Sequence, residues 1–185
     1  MRSYRTKQVI ALAVILSIVA VTQASIPVVP VRDHDRWPDL PSPLCDSLQV
    51  GSENKLVYRA YAVGAQRYRW DGTAWIFVEP VATLYSDEEY HQKVGVHYLG
   101  PTWLANSGGK VVATKLQGCT PDPTAVPWLL LQTVTNDGPG VFGSVGYIQR
   151  INTRGGLVPT APGTSIGALA DVPYTAEYYF YRSKD

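Results

Sequence analysis

A histidine near the middle of the chain has the setting that a binding or catalytic site would need. His97 ends an alternating apolar stretch, is followed by Tyr98, and stands just before a Gly100-Pro101 turn. An imidazole in this position could act as a general base or contact a ligand. The alternative interpretation is a half-buried histidine whose ring nitrogens bond a loop carbonyl. The sequence favours this alternative, because no nucleophile partner for His97 is evident.

A hydrolase built on His97 would take its other groups from distant parts of the chain. Asp87 or Glu89 would supply a carboxylate, and Arg150 would supply a cation. The sequence has no Gly-x-Ser-x-Gly motif, and Cys119 is expected to be oxidised, so no serine or cysteine nucleophile is indicated. A secreted hydrolase that uses His97 with a nearby carboxylate is therefore the alternative function, and the sequence favours a protein that is not an enzyme.

Two further patterns match ligand sites only in their spacing. Asp87, Glu88 and Glu89 with His91 offer oxygen and nitrogen ligands, but adjacent carboxylates point in different directions and the pattern is generic. The glycines of residues 138–143 match a dinucleotide fingerprint, which must open a helix inside a strand-helix-strand unit. An alternating strand pattern follows them instead. We therefore expect neither a metal site nor a cofactor.

Tyrosine and tryptophan are abundant, with 12 Tyr and five Trp against three Phe. Their rings can stack on sugars or form an interface while a polar edge stays in water. Trp70 borders an Asp71-Gly72 turn, and Tyr98 and Trp103 border the Gly-Pro loop, so these three are the candidate binding residues. The alternative for each ring is a place in the core of the sheet.

The first two dozen residues have the composition of a signal peptide. Three basic residues before position 8 precede an apolar run over residues 9–21, and small residues then favour cleavage after Ala24. A helix that crosses a membrane needs about 20 apolar residues, which is more than this run provides. We therefore expect a secreted protein, residues 25–185, with no membrane span after processing.

The charge of the processed chain excludes one class of partner. Removing three of the 16 basic residues leaves 13 against 15 acidic ones, a net charge of about −2. A nucleic-acid-binding domain would show a basic patch or stripe, and none is seen. We therefore expect no nucleic-acid partner, while the oligomeric state is left open.

Both cysteines of the chain lie in the part that would be exported. Cys45 and Cys119 are expected to form a disulfide, because an even number of cysteines in an oxidising compartment favours pairing. Closing a loop of this length stabilises a domain by roughly 4 kcal/mol in the chain-entropy model.

The elements that must position these residues are strands. Asp71-Gly72 between aromatic residues predicts a hairpin, and only residues 87–93 suit a helix of about two turns. In residues 174–182 both alternating faces carry aromatic rings, which indicates a strand covered on one face and partly on the other. Strand patterns separated by glycine and proline occupy residues 56–63, 66–70, 74–78, 94–99, 111–116, 128–135, 141–152 and 174–182.

These segments predict an all-β, antiparallel sandwich or barrel of about eight to ten short strands with little helix. A parallel α/β fold would need crossover helices that the sequence lacks. The expected organisation is a signal peptide over 1–24, an extended proline-rich lead-in over 25–50 and one all-β domain over 51–185.

Several short blocks between residues 56 and 182 share a pattern with known sequences. The most specific are Pro-Trp-Leu-Leu-Leu at 127–131 and Tyr-Ile-Gln-Arg-Ile-Asn-Thr at 147–153, with Gly-Val-His-Tyr at 95–98 and Gly-Pro-Thr-Trp at 100–103. In these blocks the chain resembles a family of uncharacterised secreted proteins, a domain of unknown function found in fungi, bacteria and other eukaryotes. The resemblance implies an exported domain and brings no activity with it.

Export, aromatic richness and the lack of an assembled catalytic set favour one class of function. We expect a secreted binding or structural protein of the cell surface or extracellular space, with carbohydrate or a cell-surface molecule as the candidate partner.

Overall fold

A single antiparallel sheet of eight strands closes on itself in the computed structural model, which describes residues 37–185. Each strand pairs with the next one along the chain, and the last pairs with the first. The strands are β1 (Asn54–Trp70), β2 (Trp75–Tyr85), β3 (Lys93–Tyr98), β4 (Thr102–Ala105), β5 (Lys110–Cys119), β6 (Trp128–Asp137), β7 (Tyr147–Gly155) and β8 (Leu169–Ser183).

The predicted all-β antiparallel fold is confirmed, and of the two architectures left open the barrel is the one that forms. Two short 3-10 helices, Asp46–Leu48 and Val141–Ser144, are the helices of the described part of the chain. No helix within residues 37–185 is both long and apolar enough to cross a bilayer. The predicted signal peptide over 1–24 and the start of the lead-in lie outside the described residues.

The strands differ from the predicted segments in ways that packing explains. The two segments predicted at 56–63 and 66–70 form one strand, because Gly64 lets β1 approach β2 closely. A Cβ atom there would lie 2.1 Å from the carbonyl oxygen of Val81. Residues 87–92 form turns rather than the helix predicted over 87–93, since the Asp87 carboxylate accepts hydrogen bonds from two backbone N–H groups within the loop, and Lys93 already begins β3. The strand β4, with four residues, was not predicted.

The hairpin predicted at Asp71-Gly72 is present between β1 and β2. Trp70 pairs with Trp75 across it. Asp71 Oδ1 accepts hydrogen bonds from the backbone N–H groups of Thr73 and Ala74, and Gly72 adopts a φ of 107°, which favours glycine. The side chain of an aspartate thus fixes the turn, as the residue pair predicts.

The inside of the barrel is filled by aromatic and small side chains. Alternate residues of β8 point inward, among them Tyr178 and Phe180, which are fully buried. The 3-10 helix between β6 and β7 places Phe142 against Phe180, with ring centroids 4.7 Å apart. Phe142 thereby closes the end of the barrel where β6 and β7 are joined.

The opposite face of β8 is also covered, by the segment that precedes β1. Trp37 stacks on Tyr181 at 5.5 Å, and Leu48 belongs to the same outer cluster of buried side chains. Gln149 of β7 donates a hydrogen bond to the Leu48 carbonyl oxygen and accepts one from the Tyr181 hydroxyl. The aromatic rings on both faces of β8 are thus accounted for by an inner core and an outer cover.

The predicted disulfide is confirmed and anchors this cover. Cys45, next to the first 3-10 helix, is bonded to Cys119 at the end of β5. Both sulfur-bearing residues are buried in the outer cluster. The bond therefore links the segment before β1 to β5, which is four strands away from β1 in the barrel.

Replacing Cys45→Ser together with Cys119→Ser should lower the free energy of unfolding by roughly 4 kcal/mol, because the bond closes a loop spanning 74 positions. Guanidinium unfolding followed by far-ultraviolet circular dichroism measures the loss. A reductant should bring the wild-type curve to that of the double variant and leave the variant itself unchanged. A wild-type curve indifferent to reductant would contradict this role of the bond.

Candidate functional site

A cavity of about 520 Å³ lies inside the barrel, near the turn that joins β3 to β4. In a barrel of alternating strand direction this turn and the β6–β7 connection lie at opposite ends, so the cavity is at the end that Phe142 does not close. The rim carries exposed apolar side chains, Phe77 and Leu99, while Trp103 and Tyr178 are buried in the wall.

Strand register brings the polar residues of the wall together. His97 of β3 is directly opposite Trp103 of β4. Arg150 of β7 is opposite both Leu129 of β6 and Tyr178 of β8. Directly opposed residues on one face of a sheet have neighbouring side chains, so these pairs share the inner face around the cavity.

His97 is held rigidly in the wall. Its ring stacks on Trp103 at 4.2 Å and meets the edge of Tyr178 at 5.2 Å. The ring nitrogen Nδ1 is 2.9 Å from the carbonyl oxygen of Thr102. Because a carbonyl can only accept, Nδ1 carries the proton and Nε2 has the lone pair.

The charge of His97 is suppressed by its surroundings. Burial lowers the pKa of His97 to about 3, against the hydrogen bond to Thr102, and the positive charge of Arg150 lowers this pKa further. The side chain is 3% exposed, so little solvent compensates for a proton there. The imidazole is therefore neutral at physiological pH and offers the cavity an uncharged acceptor.

Arg150 brings a positive charge to the cavity without a matching negative one. Its Nη2 and Nε donate to the carbonyl oxygen of Pro127, at 2.8 and 3.3 Å. Within residues 37–185 no carboxylate lies within 4 Å of it, and no Asp or Glu is among the residues that line the cavity. Lys115 at the exposed edge adds a second cation. The cavity is therefore electropositive.

Two fully enclosed donors belong to residues around the cavity. Within residues 37–185, neither Trp103 Nε1 nor Gln66 Nε2 has a hydrogen-bond partner of good geometry. Both side chains are at most 2% exposed. A buried donor left unsatisfied costs about 1–3 kcal/mol, so native proteins keep few of them. Atoms so fully enclosed do not lie on the surface of the cavity, and in the same described part of the chain Arg59 Nε and Thr133 Oγ1, away from the cavity, are enclosed and unpaired as well.

The structure brings together some of the residues predicted to form a site and separates others. His97, Arg150 and Trp103 share the cavity. Asp87 and Glu89 lie on the β2–β3 loop, before the start of β3, whereas His97 is near its end; about 13 Å of strand separates them. A catalytic group of His97 with either carboxylate does not assemble in this arrangement.

Trp70 and Tyr98 lie apart from the cavity wall. Trp70 packs edge-on against Trp75 at 5.5 Å, with the backbone of Gly163 close to its ring. Tyr98 follows His97 directly, so its side chain points to the outer face of the sheet, where it is half-buried. The exposed row of aromatic rings that a surface glycan site would use is not formed by these residues.

The acidic loop remains a weak place for a metal. Asp87, Glu89 and His91 bring ligand atoms within 4.8 Å of one another, and two of the three side chains are exposed. The Asp87 oxygens already accept backbone hydrogen bonds, and these lower the pKa of that carboxyl. The carboxylate is engaged in fixing its own loop.

A groove of about 690 Å³ on the outside of the barrel differs from the cavity in its charge pairing. Glu177 in this groove pairs with Arg59 at 2.6 Å and accepts a hydrogen bond from Asn152 at 3.0 Å. The Arg59 guanidinium also lies over the ring of Tyr61, 4.7 Å from its centroid. The negative charge of Glu177 in this groove is thus compensated by Arg59.

Sequence reasoning missed Gln66, Tyr68 and Tyr178 as cavity residues. Gln66 and Tyr68 stand on β1 at positions of the same parity as the inward-facing Ala60 and Ala62. A glutamine at an inward position of an apolar strand is the signal that could have found the site, because a buried amide needs partners.

Among known proteins, one family matches the chain over most of its length. The profile of a family described as "Protein of unknown function (DUF3455)" matches residues 51–182. No curated protein and no solved structure matches the chain at a significant level. The match spans every strand of the barrel, and the resemblance found in the sequence is confirmed.

The free energy of unfolding should fall as the pH is lowered from 6.5 towards 3. In this window the unfolded chain binds a proton at His97 that the folded protein excludes, which costs up to about 1.4 kcal/mol per pH unit. His97→Asn, which keeps a donor for the Thr102 carbonyl, should flatten this slope in urea unfolding curves. His91→Asn on the exposed loop is the control and should retain it. Equal slopes for wild type and His97→Asn would contradict the buried neutral state.

Proposed function

Because the chain belongs to the DUF3455 family of proteins of unknown function, its activity has to be argued from its site, and we propose that it is a secreted binding protein for a small molecule held in the open end of the barrel. The observation that carries the proposal is the cavity of about 520 Å³, whose wall combines apolar side chains with His97 and Arg150. Ligand sites are concave and mostly apolar, with a few convergent polar groups that fix orientation.

Binding is supported more strongly than hydrolysis. A general base that works with a carboxylate needs that carboxylate within hydrogen-bond reach, and no Asp or Glu in the described range 37–185 lines the cavity. His97 uses Nδ1 for the Thr102 carbonyl, and its remaining nitrogen faces no serine or cysteine among the lining residues. The hydrolase alternative therefore has a histidine without the groups that would activate a nucleophile.

The composition predicts carbohydrate as the ligand class, but the positions of the predicted rings favour a site inside the barrel over one on the surface. Trp103, one of the rings predicted to stack on sugar, is 1% exposed inside the barrel. Trp70 packs against Trp75 instead of standing free. A small ligand that enters the barrel is supported by these positions more than a glycan bound along the surface.

Two features support the exported location of this binding protein. Residues 9–21 have the apolar run of a signal peptide, with basic residues before it. The Cys45–Cys119 bond suits an oxidising compartment, because disulfides persist there and are rare where thiols are kept reduced.

A neutral apolar fluorophore, N-phenyl-1-naphthylamine, should bind one to one with increased emission. Thr114→Trp, at an exposed position on the cavity edge, should weaken binding at least tenfold by narrowing the entrance. Leu116→Trp on the same strand is exposed and outside the cavity, so it should leave the titration unchanged. No binding by wild type, or equal weakening by both variants, would refute a ligand site in the barrel. A glycan array run beside it tests the carbohydrate class.

Secreted material should begin near Ser25, because cleavage after Ala24 is the expected processing step. N-terminal sequencing of protein recovered from the medium of an expressing cell measures this. Protein that keeps Met1 and sediments with membranes would contradict export by cleavage.

A further inference from the structure

The polar groups around the cavity are dominated by donors and cations. Arg150 and Lys115 are positively charged, and no Asp or Glu of residues 37–185 is among the residues that line the cavity. The main unused acceptor beside them is Nε2 of the neutral His97. A ligand that satisfies this wall must bring hydrogen-bond acceptors and negative charge.

Arg150 has donors to spare for such a ligand. A guanidinium carries five N–H donors, and the Pro127 carbonyl accepts from only Nε and Nη2. Burial raises the pKa of Tyr178, and the neighbouring positive charge of Arg150 opposes part of that rise, which places the Tyr178 hydroxyl beside the guanidinium. A carboxylate offers two oxygens in one plane, which matches a guanidinium better than a single acceptor would.

The rest of the wall is apolar and rich in flat rings. Phe77 and Leu99 are about half exposed at the rim, and Leu129 and Leu131 lie deeper, where the latter is 3% exposed. Exposed apolar groups at the entrance of a cavity lose contact with water when a ligand's apolar body covers them. A ligand that fits this wall therefore combines a negatively charged, hydrogen-bonding group with an apolar body.

We infer that the ligand of this cavity is a small organic carboxylate, whose acidic group is held by Arg150 and whose apolar body lies against the rings of the wall. This inference rests on the proposed function and narrows it to a chemical class. A neutral or cationic ligand of the same shape leaves the charge of Arg150 uncompensated in a partly buried site, which is unfavourable.

A matched set of ligands tests the charge without altering the protein. In displacement of N-phenyl-1-naphthylamine, 2-naphthoate should bind at least tenfold more tightly than 2-naphthamide, which keeps the ring and an acceptor but has no charge. The cationic 2-naphthylmethylamine should bind more weakly than either. Equal affinity for the three compounds would overturn the inference, and binding of the amide would then still support a ligand site in the barrel.

Substitutions test whether the preference for the charged ligand comes from Arg150. Arg150→Met keeps the length of the side chain and should reduce the preference for naphthoate over naphthamide to less than threefold, while Arg150→Lys should retain part of it. Arg154→Met is the control, because Arg154 lies on the same strand but lines the outer groove. A preference unchanged in Arg150→Met, or lost equally in Arg154→Met, would overturn the inference. The wild-type comparison stands even where Arg150→Met folds poorly.

Discussion

Hydrogen bonds between β1 and β8 close the sheet, and the inside of the barrel exists only because of this pairing. The two strands are the longest of the fold, at 17 and 15 residues, and they pair over nearly their whole lengths. An open sheet would leave two unpaired edges and expose the face that carries Tyr178 and Phe180. Closure turns this face inward, where the rings make the core. The pairing of β7 with β8 sets Arg150 beside Tyr178, so the electropositive wall of the cavity depends on the sheet's register.

The two ends of the barrel differ in whether side chains fill the interior. At one end Phe142 fills the space and packs on Phe180, so that end contributes to stability through buried apolar area. At the other end the interior is left open, which forgoes the contacts that a packed side chain would make. Proteins keep such unfavourable arrangements mainly at functional sites. The contrast between the two ends supports the proposal that the open end holds a ligand.

Local pattern was enough to predict the class of the fold and several of its details. The aromatic residues on both faces of β8 correctly indicated two covered faces, and the pairing of Cys45 with Cys119 and the turn at Asp71 were also foreseen. The cavity could not be read in the same way, because Gln66 and Arg150 are 84 positions apart and meet only through the pairing of β1, β8 and β7. The register of a closed sheet depends on all its strands at once, and no local window contains that information.

His97 explains how one cavity wall can be polar and yet keep a single dominant charge. Its Nδ1–H bond to Thr102 fixes the ring across the β3–β4 turn, and stacking on Trp103 holds it flat against the wall. An apolar residue could fill the same volume, but it could not bond the carbonyl or present an acceptor to the cavity. Burial, with a smaller contribution from Arg150, lowers the pKa of His97, so the ring adds no charge that would compete with Arg150 for an anion. In the proposed binding site the histidine is therefore a positioning residue that orders the wall, and Arg150 supplies the charge.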